Sequence, residues 1–262
     1  MPVSWMDISQ LSFNSLLLLE PAQLDWIQRF MHVPERELAI ALRANPAVAW
    51  YFRHKCPQLN PWLDGILSRQ NTSDDPGKTR EAEIAVLKSL VDWLVYVVDP
   101  AIYDAQPFLK WDSSELTSMV DFSNKTVLDI DAGTGRLALT VAPVAKTVFA
   151  VEPVGNLRVF LRSKAKERGC RNVYPVDGLI TEIPFPDGFA DVTMGGHVFG
   201  DEPKAEWREL ERVTKPEGMV ILCPGNNDLN NDRHEFLVSQ GCQWSRFEEP
   251  VDGWKRKYWK TK

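Results

Sequence analysis

Two hydrophobic patterns follow one another along the chain, and the change falls between residues 120 and 125. In the first part, apolar residues recur at helical spacing, and the series Ile84, Leu87, Val91, Leu94 and Val98 predicts one long helix. Prolines punctuate these stretches at positions suited to a first helical turn or the residue before it, namely Pro21, Pro34, Pro46, Pro57 and Pro61. No strand pattern precedes residue 125, so residues 1–120 are predicted to form an all-helical N-terminal domain.

In the second part, short apolar runs alternate with helical stretches. The runs predict strands at 126–130, 147–151, 172–176, 190–194 and 219–223, with two more near 244–248 and 254–259, and helices at 135–145, 156–168 and 231–240. Apolar runs of this length, separated by helices, are typical of a parallel sheet buried on both faces. Residues 121–262 are therefore predicted to form a doubly wound α/β domain, whose ligands bind beyond the carboxyl ends of the strands.

Composition narrows the class of protein. The 262 residues are 44% hydrophobic and 25% charged, which excludes collagen-like, coiled-coil and largely disordered chains. The formal net charge of -6 argues against nucleic acid or an anionic membrane as the main partner. Residues 1–120 hold 10 basic and 15 acidic residues, and residues 121–262 hold 20 and 21, so most of the acidic excess lies in the helical part.

The cysteines and histidines do not indicate a metal site. The four cysteines are far apart and form no C-x-x-C pair, which is typical of reduced thiols in a cytoplasmic protein. The four histidines supply no closely spaced ligands, so we predict no metal. The apolar run Leu16–Leu19 has no basic segment before it and ends at Glu20, so it predicts neither a signal peptide nor a membrane span.

A glycine-rich turn follows the first predicted strand. Gly133 and Gly135 let the backbone turn tightly and approach a ligand, and the helix that begins there favours polar or anionic groups. Glu152, at the tip of the second strand, is positioned to accept both hydroxyls of a ribose. The same spacing, with Ala138, also satisfies a dinucleotide fingerprint, which leaves a nicotinamide-dependent oxidoreductase open.

Two carboxylates argue for a different ligand. Asp129 lies inside the first strand, where a dinucleotide-binding fold usually has an apolar residue, and its carboxylate suits the ammonium of an amino-acid moiety. Asp177 follows the third strand, where it suits the exocyclic amine of adenine.

Four segments then occur in a recognisable order, VLDIDAGTG, VFAVEP, VDGLITEIPFPDGFADVTM and WRELERVTKPEGMVIL. From about Lys125 onward, the chain resembles the class I S-adenosylmethionine-dependent methyltransferases, specifically the group similar to menaquinone-biosynthesis methyltransferases. The resemblance implies a Rossmann-like, seven-stranded sheet in which an antiparallel last strand lies between two others. It also implies S-adenosyl-L-methionine as cofactor, bound by Asp129, Asp131, Gly133, Thr134, Gly135, Glu152, Pro153, Asp177, Gly178 and Gly195.

The chain departs from this family at Asp131, which stands where the family has the first glycine of a Gly-x-Gly-x-Gly loop. A carboxylate there either crowds the cofactor or adds negative charge beside a cationic group, and a non-catalytic relative is the alternative. In similar methyltransferases, the segment entering the domain often folds over the cofactor. We therefore expect Tyr103, Phe108 and Trp111 at its methionine end, with ordinary packing between the two halves of the chain as the alternative.

The loop Gly195–Asp201 follows the fourth strand, and in the resembling family it lies next to the transferred methyl group. His197 is the candidate general base, because an unperturbed imidazole titrates near pH ~6.5. The alternative is a histidine that only hydrogen-bonds the loop, and Asp201 suits a helix N-cap better than a catalyst. Lys255–Lys257 predicts a basic face on the last strand, too small to indicate nucleic-acid binding.

Together these patterns predict a cytoplasmic methyltransferase, a monomer or homodimer, acting on a small-molecule acceptor. Because the α/β half has no large insertion, we expect the helical domain to form a lid or shape the acceptor pocket.

Overall fold

The computed structural model describes residues 6–69 and 75–262, and the chain divides into two units, Met1–Tyr103 and Asp104–Lys262. This division comes earlier than the predicted boundary at residue 120. The reason is that the connecting segment, residues 105–125, contributes to the core of the second unit. Trp111, Leu116 and Phe122 are buried there in one cluster with Val127.

The described part of the first unit is helical. Its helices are α1 (Pro21–Phe30), α2 (Glu35–Ala44), α3 (Pro46–Lys55), α4 (Asn60–Ser68), α5 (Pro76–Ser89), α6 (Val91–Val98) and α7 (Pro100–Asp104). Short 3₁₀ turns occur at Phe13–Leu18 and Pro57–Leu59. Pro21 and Pro46 begin their helices and Pro34 precedes one, as the sequence predicted. Among the helices that the structure describes, none is long and apolar enough to cross a membrane.

The single long helix predicted around residue 90 is wrong, because α5 and α6 are separate helices. The hydroxyl of Ser89 donates to the carbonyl of Val86, and the amide of Leu90 donates to the carbonyl of Leu87 at 3.2 Å. These bonds tighten the last turn and end the helix. Leu90 and Val91 remain buried on either side of the break, which explains why the apolar spacing continues through it.

The second unit is built on a seven-stranded sheet in the order β3-β2-β1-β4-β5-β7-β6. The strands are β1 (Thr126–Ile130), β2 (Thr147–Val151), β3 (Val173–Val176), β4 (Ala190–Gly195), β5 (Thr214–Asn227), β6 (Gln243–Glu249) and β7 (Gly253–Thr261). The first five pair in parallel, and β7 runs antiparallel between β5 and β6. The predicted seven-stranded, doubly wound topology is confirmed.

Helices cover both faces of this sheet. They are α8 (Ser114–Thr117), α9 (Arg136–Val141), α10 (Gly155–Glu167), α11 (Pro203–Val213) and α12 (Asp232–Ser239), with a 3₁₀ turn at Pro107–Leu109. Neighbouring residues of β1 enter different cores, because side chains alternate along a strand. Val127 packs in one cluster with Leu161 of α10, and Leu128 packs in the other with Leu210 of α11.

The predicted basic face on the last strand is wrong. Lys255, Arg256 and Lys257 are all buried, and each is neutralised by a carboxylate. Arg256 pairs with Asp228 at 2.7 Å, and Lys257 pairs with Glu115 of α8 at 2.7 Å. Because β7 is an inner strand with neighbours on both sides, its charged side chains form ion pairs within the second unit.

Candidate functional site

The turn between β1 and α9 has a left-handed backbone at three positions. Gly133 and Gly135 have φ of 54° and 83°, and Asp131 adopts φ of 56°. A Cβ on Gly135 would come within 2.0 Å of the Leu161 side chain, so this position needs glycine for space as well as for conformation. Between the glycines, Thr134 is buried, and its carbonyl accepts from Lys164 Nζ at 3.2 Å.

Asp129 is buried in β1, and its carboxylate binds the start of α9. Its Oδ2 accepts from the backbone amide of Ala138 at 2.8 Å, which satisfies one of the free amides of that helix. Burial, and to a smaller extent the charge of Asp131, raises the pKa of Asp129 to about 8, against the opposing effect of the Ala138 hydrogen bond. A nearby cation would lower this pKa.

Glu152 connects the tip of β2 to the glycine turn. Its Oε2 accepts from the amide of Gly133 and its Oε1 from the amide of Val154, both at 2.8 Å. Burial and the charge of Asp131 hold the pKa of Glu152 well above its ordinary value, against the pull of these two bonds. Each carboxylate oxygen can accept a further hydrogen bond, so the group keeps capacity for ligand hydroxyls.

Arg158 of α10 joins the second and third strand ends. Its Nη1 donates to the carbonyl of Glu152 at 2.6 Å and to Asp177 Oδ1 at 2.7 Å, and the Asp177 side chain is 75% exposed. Gly178 follows in a confined position, where a Cβ would lie 2.6 Å from Pro184 and 2.9 Å from Val151. The structure therefore brings Glu152, Asp177 and Gly178 to one edge of the sheet.

Further carboxylates lie beside the turn. Asp131 is an exposed residue. Desolvation of its carboxylate by the surrounding protein, and then the negative charges of Asp201 and Glu206, raise the pKa of Asp131 to about 6. Glu206 of α11 accepts from the amides of Gly200, Asp201 and Glu202, at 2.6, 3.0 and 2.7 Å. The predicted N-cap role of Asp201 is wrong, because Glu202 occupies the N-cap position of α11 and the Glu206 side chain accepts from these amides.

His197 follows β4 at the same edge, since Gly195 is the register partner of Ile130, the residue before Asp131. Its backbone is left-handed, with φ of 61°, and its amide donates to the carbonyl of Pro224 at 2.8 Å. The ring Nε2 lies 2.8 Å from Oε1 of Glu249, the last residue of β6.

The second unit contains a segment that is similar to known proteins. Residues 128–222 match the family described as a methyltransferase domain, and this range covers the glycine turn, Glu152, Asp177 and β5 as far as Leu222. Residues 128–222 are therefore similar to a methyltransferase domain, and they lie in a unit whose sheet has the order β3-β2-β1-β4-β5-β7-β6.

Two curated relatives are named as methyltransferases. An uncharacterized methyltransferase, YcgJ of Bacillus subtilis, is 35% identical over 99 residues, which are 37% of this chain and 39% of the relative. The demethylmenaquinone methyltransferase of Thermus thermophilus is 32% identical over 120 residues, 44% of this chain and 53% of the relative. The matches thus span less than two thirds of either relative. A solved SAM-dependent methyltransferase from Aquifex aeolicus is 18% identical, with a TM-score of 0.48, over 62% of this chain and 97% of that one.

Aromatic residues before the methyltransferase domain have different surroundings. Trp111 is buried against Phe247, with ring centroids 5.5 Å apart, and under the guanidinium of Arg136 at 4.5 Å. Arg136 also donates to the carbonyls of Leu109 and Trp111, at 2.6 and 2.5 Å, so the first residue of α9 fixes the connecting segment. Tyr103 ends the helical unit, where its ring packs edge-on against Tyr96. A cofactor-covering role for Tyr103 and Trp111 stays a prediction.

Sequence reasoning missed three residues that organise this edge, namely Arg158, Glu206 and Glu249. Each lies on a helix face or distant strand, where no local motif marks it. Glu249 carried the weakest signal, since only the antiparallel hairpin of β6 and β7 brings it to the loop after β4.

Proposed function

We propose that this protein is an S-adenosylmethionine-dependent methyltransferase acting on a small molecule. The observation that carries the proposal is Glu152, a buried carboxylate bonded to the glycine turn at the end of β2, within a methyltransferase domain.

The residues present fit this cofactor. Gly135 and Gly178 both occupy positions where a Cβ would collide with neighbouring side chains, so the packing around this edge of the sheet requires glycine at both. Asp129, Asp131 and Glu152 form a set of carboxyl groups whose raised pKa values a cationic ligand would lower, which favours their ionised forms. The departure at Asp131 is therefore compatible with a sulfonium and an ammonium group nearby.

When bound, S-adenosylmethionine supplies an electrophilic methyl group on sulfur. In this proposal, Glu152 with Pro153 holds the ribose, Asp129 accepts from the ammonium, and Asp177 with Gly178 holds the adenine. The turn at Asp131, Gly133, Thr134 and Gly135, together with Gly195, lines the methionine end, and Tyr103 and Trp111 cover it. His197 takes the proton that the acceptor loses. Orientation of two reactants is worth about 7–11 kcal/mol, so the chain needs few other catalytic groups.

We assign acceptor recognition to the helical unit and the loop Gly195–Asp201. Support comes from the acidic charge of residues 1–120 and from the second unit, in which the sheet and its helices take up most of residues 126–261. Removal of residues 1–100, which leaves Tyr103 in place, tests this assignment. Expected is loss of acceptor turnover with retained S-adenosylhomocysteine binding, and unchanged turnover would contradict it.

Calorimetry and a labelled-methyl assay test the activity itself. Wild-type protein is titrated with S-adenosylmethionine and, separately, NAD, and then incubated with tritiated S-adenosylmethionine and a panel of phenols, thiols, amines and demethylmenaquinone. We expect S-adenosylmethionine binding, no NAD binding and label in one acceptor class. Tight binding without transfer to any class would instead support a non-catalytic binding protein, and NAD binding alone would support an oxidoreductase.

A cytoplasmic location is part of the proposal, because all four cysteines are unpaired and three of them are buried. Cell fractionation with an antibody against the native chain tests it, and recovery in a membrane or secreted fraction would contradict it.

A further inference from the structure

His197 is held by contacts from three parts of the second unit, two of them to its imidazole ring and one to its backbone amide. Nε2 lies 2.8 Å from Glu249 Oε1 on β6. The ring of Phe108 packs against it edge to face, with centroids 5.6 Å apart. The backbone amide donates to Pro224 of β5, and the left-handed φ of 61° fixes where the side chain leaves the loop. A histidine that only completes a loop does not need this much constraint.

Glu249 is a charged residue with no exposed side-chain surface. Its Oε2 lies 3.4 Å from Lys255 Nζ and has no hydrogen-bond partner among residues 6–69 and 75–262. Lys255 is also buried, and it donates to Asn227 Oδ1 at 2.7 Å and lies 3.6 Å from Asp252. Burying such a carboxylate is costly unless it is paired, and here the Lys255 ammonium and the His197 imidazole are its two partners.

We propose that Glu249 is a positioning residue that orients His197 as the proton acceptor of the methyl-transfer reaction. An ionised carboxylate only accepts hydrogen bonds, so Nε2 must carry the proton of the neutral ring. Nδ1 is then the unprotonated nitrogen. It has no hydrogen-bond partner in the described part of the chain, and 33% of the His197 side chain is exposed.

This inference rests on the proposed function and specifies the acceptor as a molecule whose nucleophilic atom carries a proton, such as a hydroxyl, thiol or amine. In the step, the bond between that atom and hydrogen breaks, and its electron pair stays on the acceptor atom for the new bond to carbon. The proton bonds to Nδ1 of His197, the imidazolium is stabilised by Glu249, and the proton then passes to water. A positioned base of this kind contributes about 10²–10⁴-fold in rate.

The location of the pair agrees with this role. Gly195, at the end of β4, lies opposite Ile130 of β1, directly before Asp131 and the glycine turn. His197 is therefore at the carboxyl edge of the sheet, where ligands bind in doubly wound folds. A Cβ on Gly196 would come 2.9 Å from the carbonyl of Cys223, so the turn into His197 lies against β5.

Nitrogen-15 NMR of the full chain tests the proposal without any acceptor. The two ring nitrogens of His197, assigned with His197→Gln, are followed from pH 5 to pH 9 in wild type, Glu249→Gln and Glu248→Gln. Glu248 is the matched control because it neighbours Glu249 on β6, loses the same charge and is exposed. His234, whose Nδ1 lies 3.0 Å from the hydroxyl of Tyr258, is the internal reference.

We expect the Nε2-protonated tautomer in wild type and in Glu248→Gln. In Glu249→Gln, we expect a mixture of tautomers, since the side chain facing Nε2 can then donate as well as accept a hydrogen bond. His234 should not change. An Nδ1-protonated ring in wild type overturns the proposal, and this result needs no variant to fold. Equal spectra for the Glu249 and Glu248 variants would also overturn it.

S-adenosylhomocysteine calorimetry on the same samples separates this inference from the proposed function. Binding equal in wild type and Glu249→Gln, with the tautomer changed only in the latter, supports the positioning role. Failure of wild type to bind contradicts the proposed function, whereas normal binding with an unaffected tautomer contradicts the positioning role alone.

Discussion

The unusual carboxylate in the glycine turn gives a prediction about how cofactor affinity depends on pH. Restricted hydration and the charges of Asp201 and Glu206 raise the pKa of Asp131 to about 6 in the free protein. A bound sulfonium and ammonium would favour the ionised form and lower that pKa toward its ordinary value. Binding should therefore release a proton below pH 6, and affinity should rise as the pH increases through 6.

The size of the effect follows from these two pKa values. If the pKa falls fully to the ordinary value of about 3.9, the dissociation constant improves about tenfold between pH 5 and pH 7, because one pKa unit corresponds to about 1.4 kcal/mol. Asp131 is exposed, so water screens part of the interaction, and we expect about threefold to tenfold.

Calorimetry at pH 5, 6 and 7 in two buffers of different ionisation enthalpy measures both the affinity and the number of protons released. Asp131→Asn keeps the size of the side chain and removes its charge, so it should flatten this part of the profile. Glu167→Gln, an exposed charge at the end of α10, is the control. S-adenosylhomocysteine lacks the sulfonium and should show a weaker dependence. Parallel pH profiles for wild type and Asp131→Asn would refute the reasoning.

Two further predictions concern stability. Because burial raises the pKa of Asp129 to about 8, ionisation of this group destabilises the wild-type fold progressively from pH 4 to pH 8. The free energy of unfolding of Asp129→Asn, relative to wild type, should therefore increase over that range and stay constant above pH 8. A pH-independent difference between the two proteins in urea titrations would contradict this. Arg136→Ala should cost about 2–4 kcal/mol, because it leaves the carbonyls of Leu109 and Trp111 without their donor. In denaturant melts, the exposed Arg162→Ala should stay within about 0.5 kcal/mol of wild type, and equal effects of the two arginine variants would contradict the role of Arg136.

The strands of the sheet could be predicted from the sequence because each is marked by a short apolar run in the chain itself. Apolar runs such as 126–130 and 147–151 are bounded by turns, and the predicted ranges match β1 and β2. The long helix failed for a related reason, since apolar spacing continues across the break at Leu90 and only hydrogen bonds of the backbone and Ser89 reveal it.

The site residues that were predicted also differ from those that were missed in whether a local motif marks them. Asp131, Gly133 and Glu152 lie in or beside one loop, so motif spacing predicted that they meet. Contacts that depend on distant pairings were missed. Lys255 was predicted to be exposed, because alternation of charged and aromatic residues is typical of a strand with one solvated face. In the structure, β7 is an inner strand, and Lys255 is buried beside Glu249. No local pattern distinguishes these two situations.

The most direct test of the proposed function is the affinity of S-adenosylmethionine for Glu152→Gln. The account predicts that wild type binds S-adenosylmethionine and that Glu152→Gln binds at least about tenfold more weakly, because hydrogen bonds to a charged acceptor contribute about 1.5–3 kcal/mol each. Glu167→Gln should bind like wild type, and thermal melts should show that all three proteins are folded. Equal affinity of wild type and folded Glu152→Gln would contradict the claim that this carboxylate holds the cofactor.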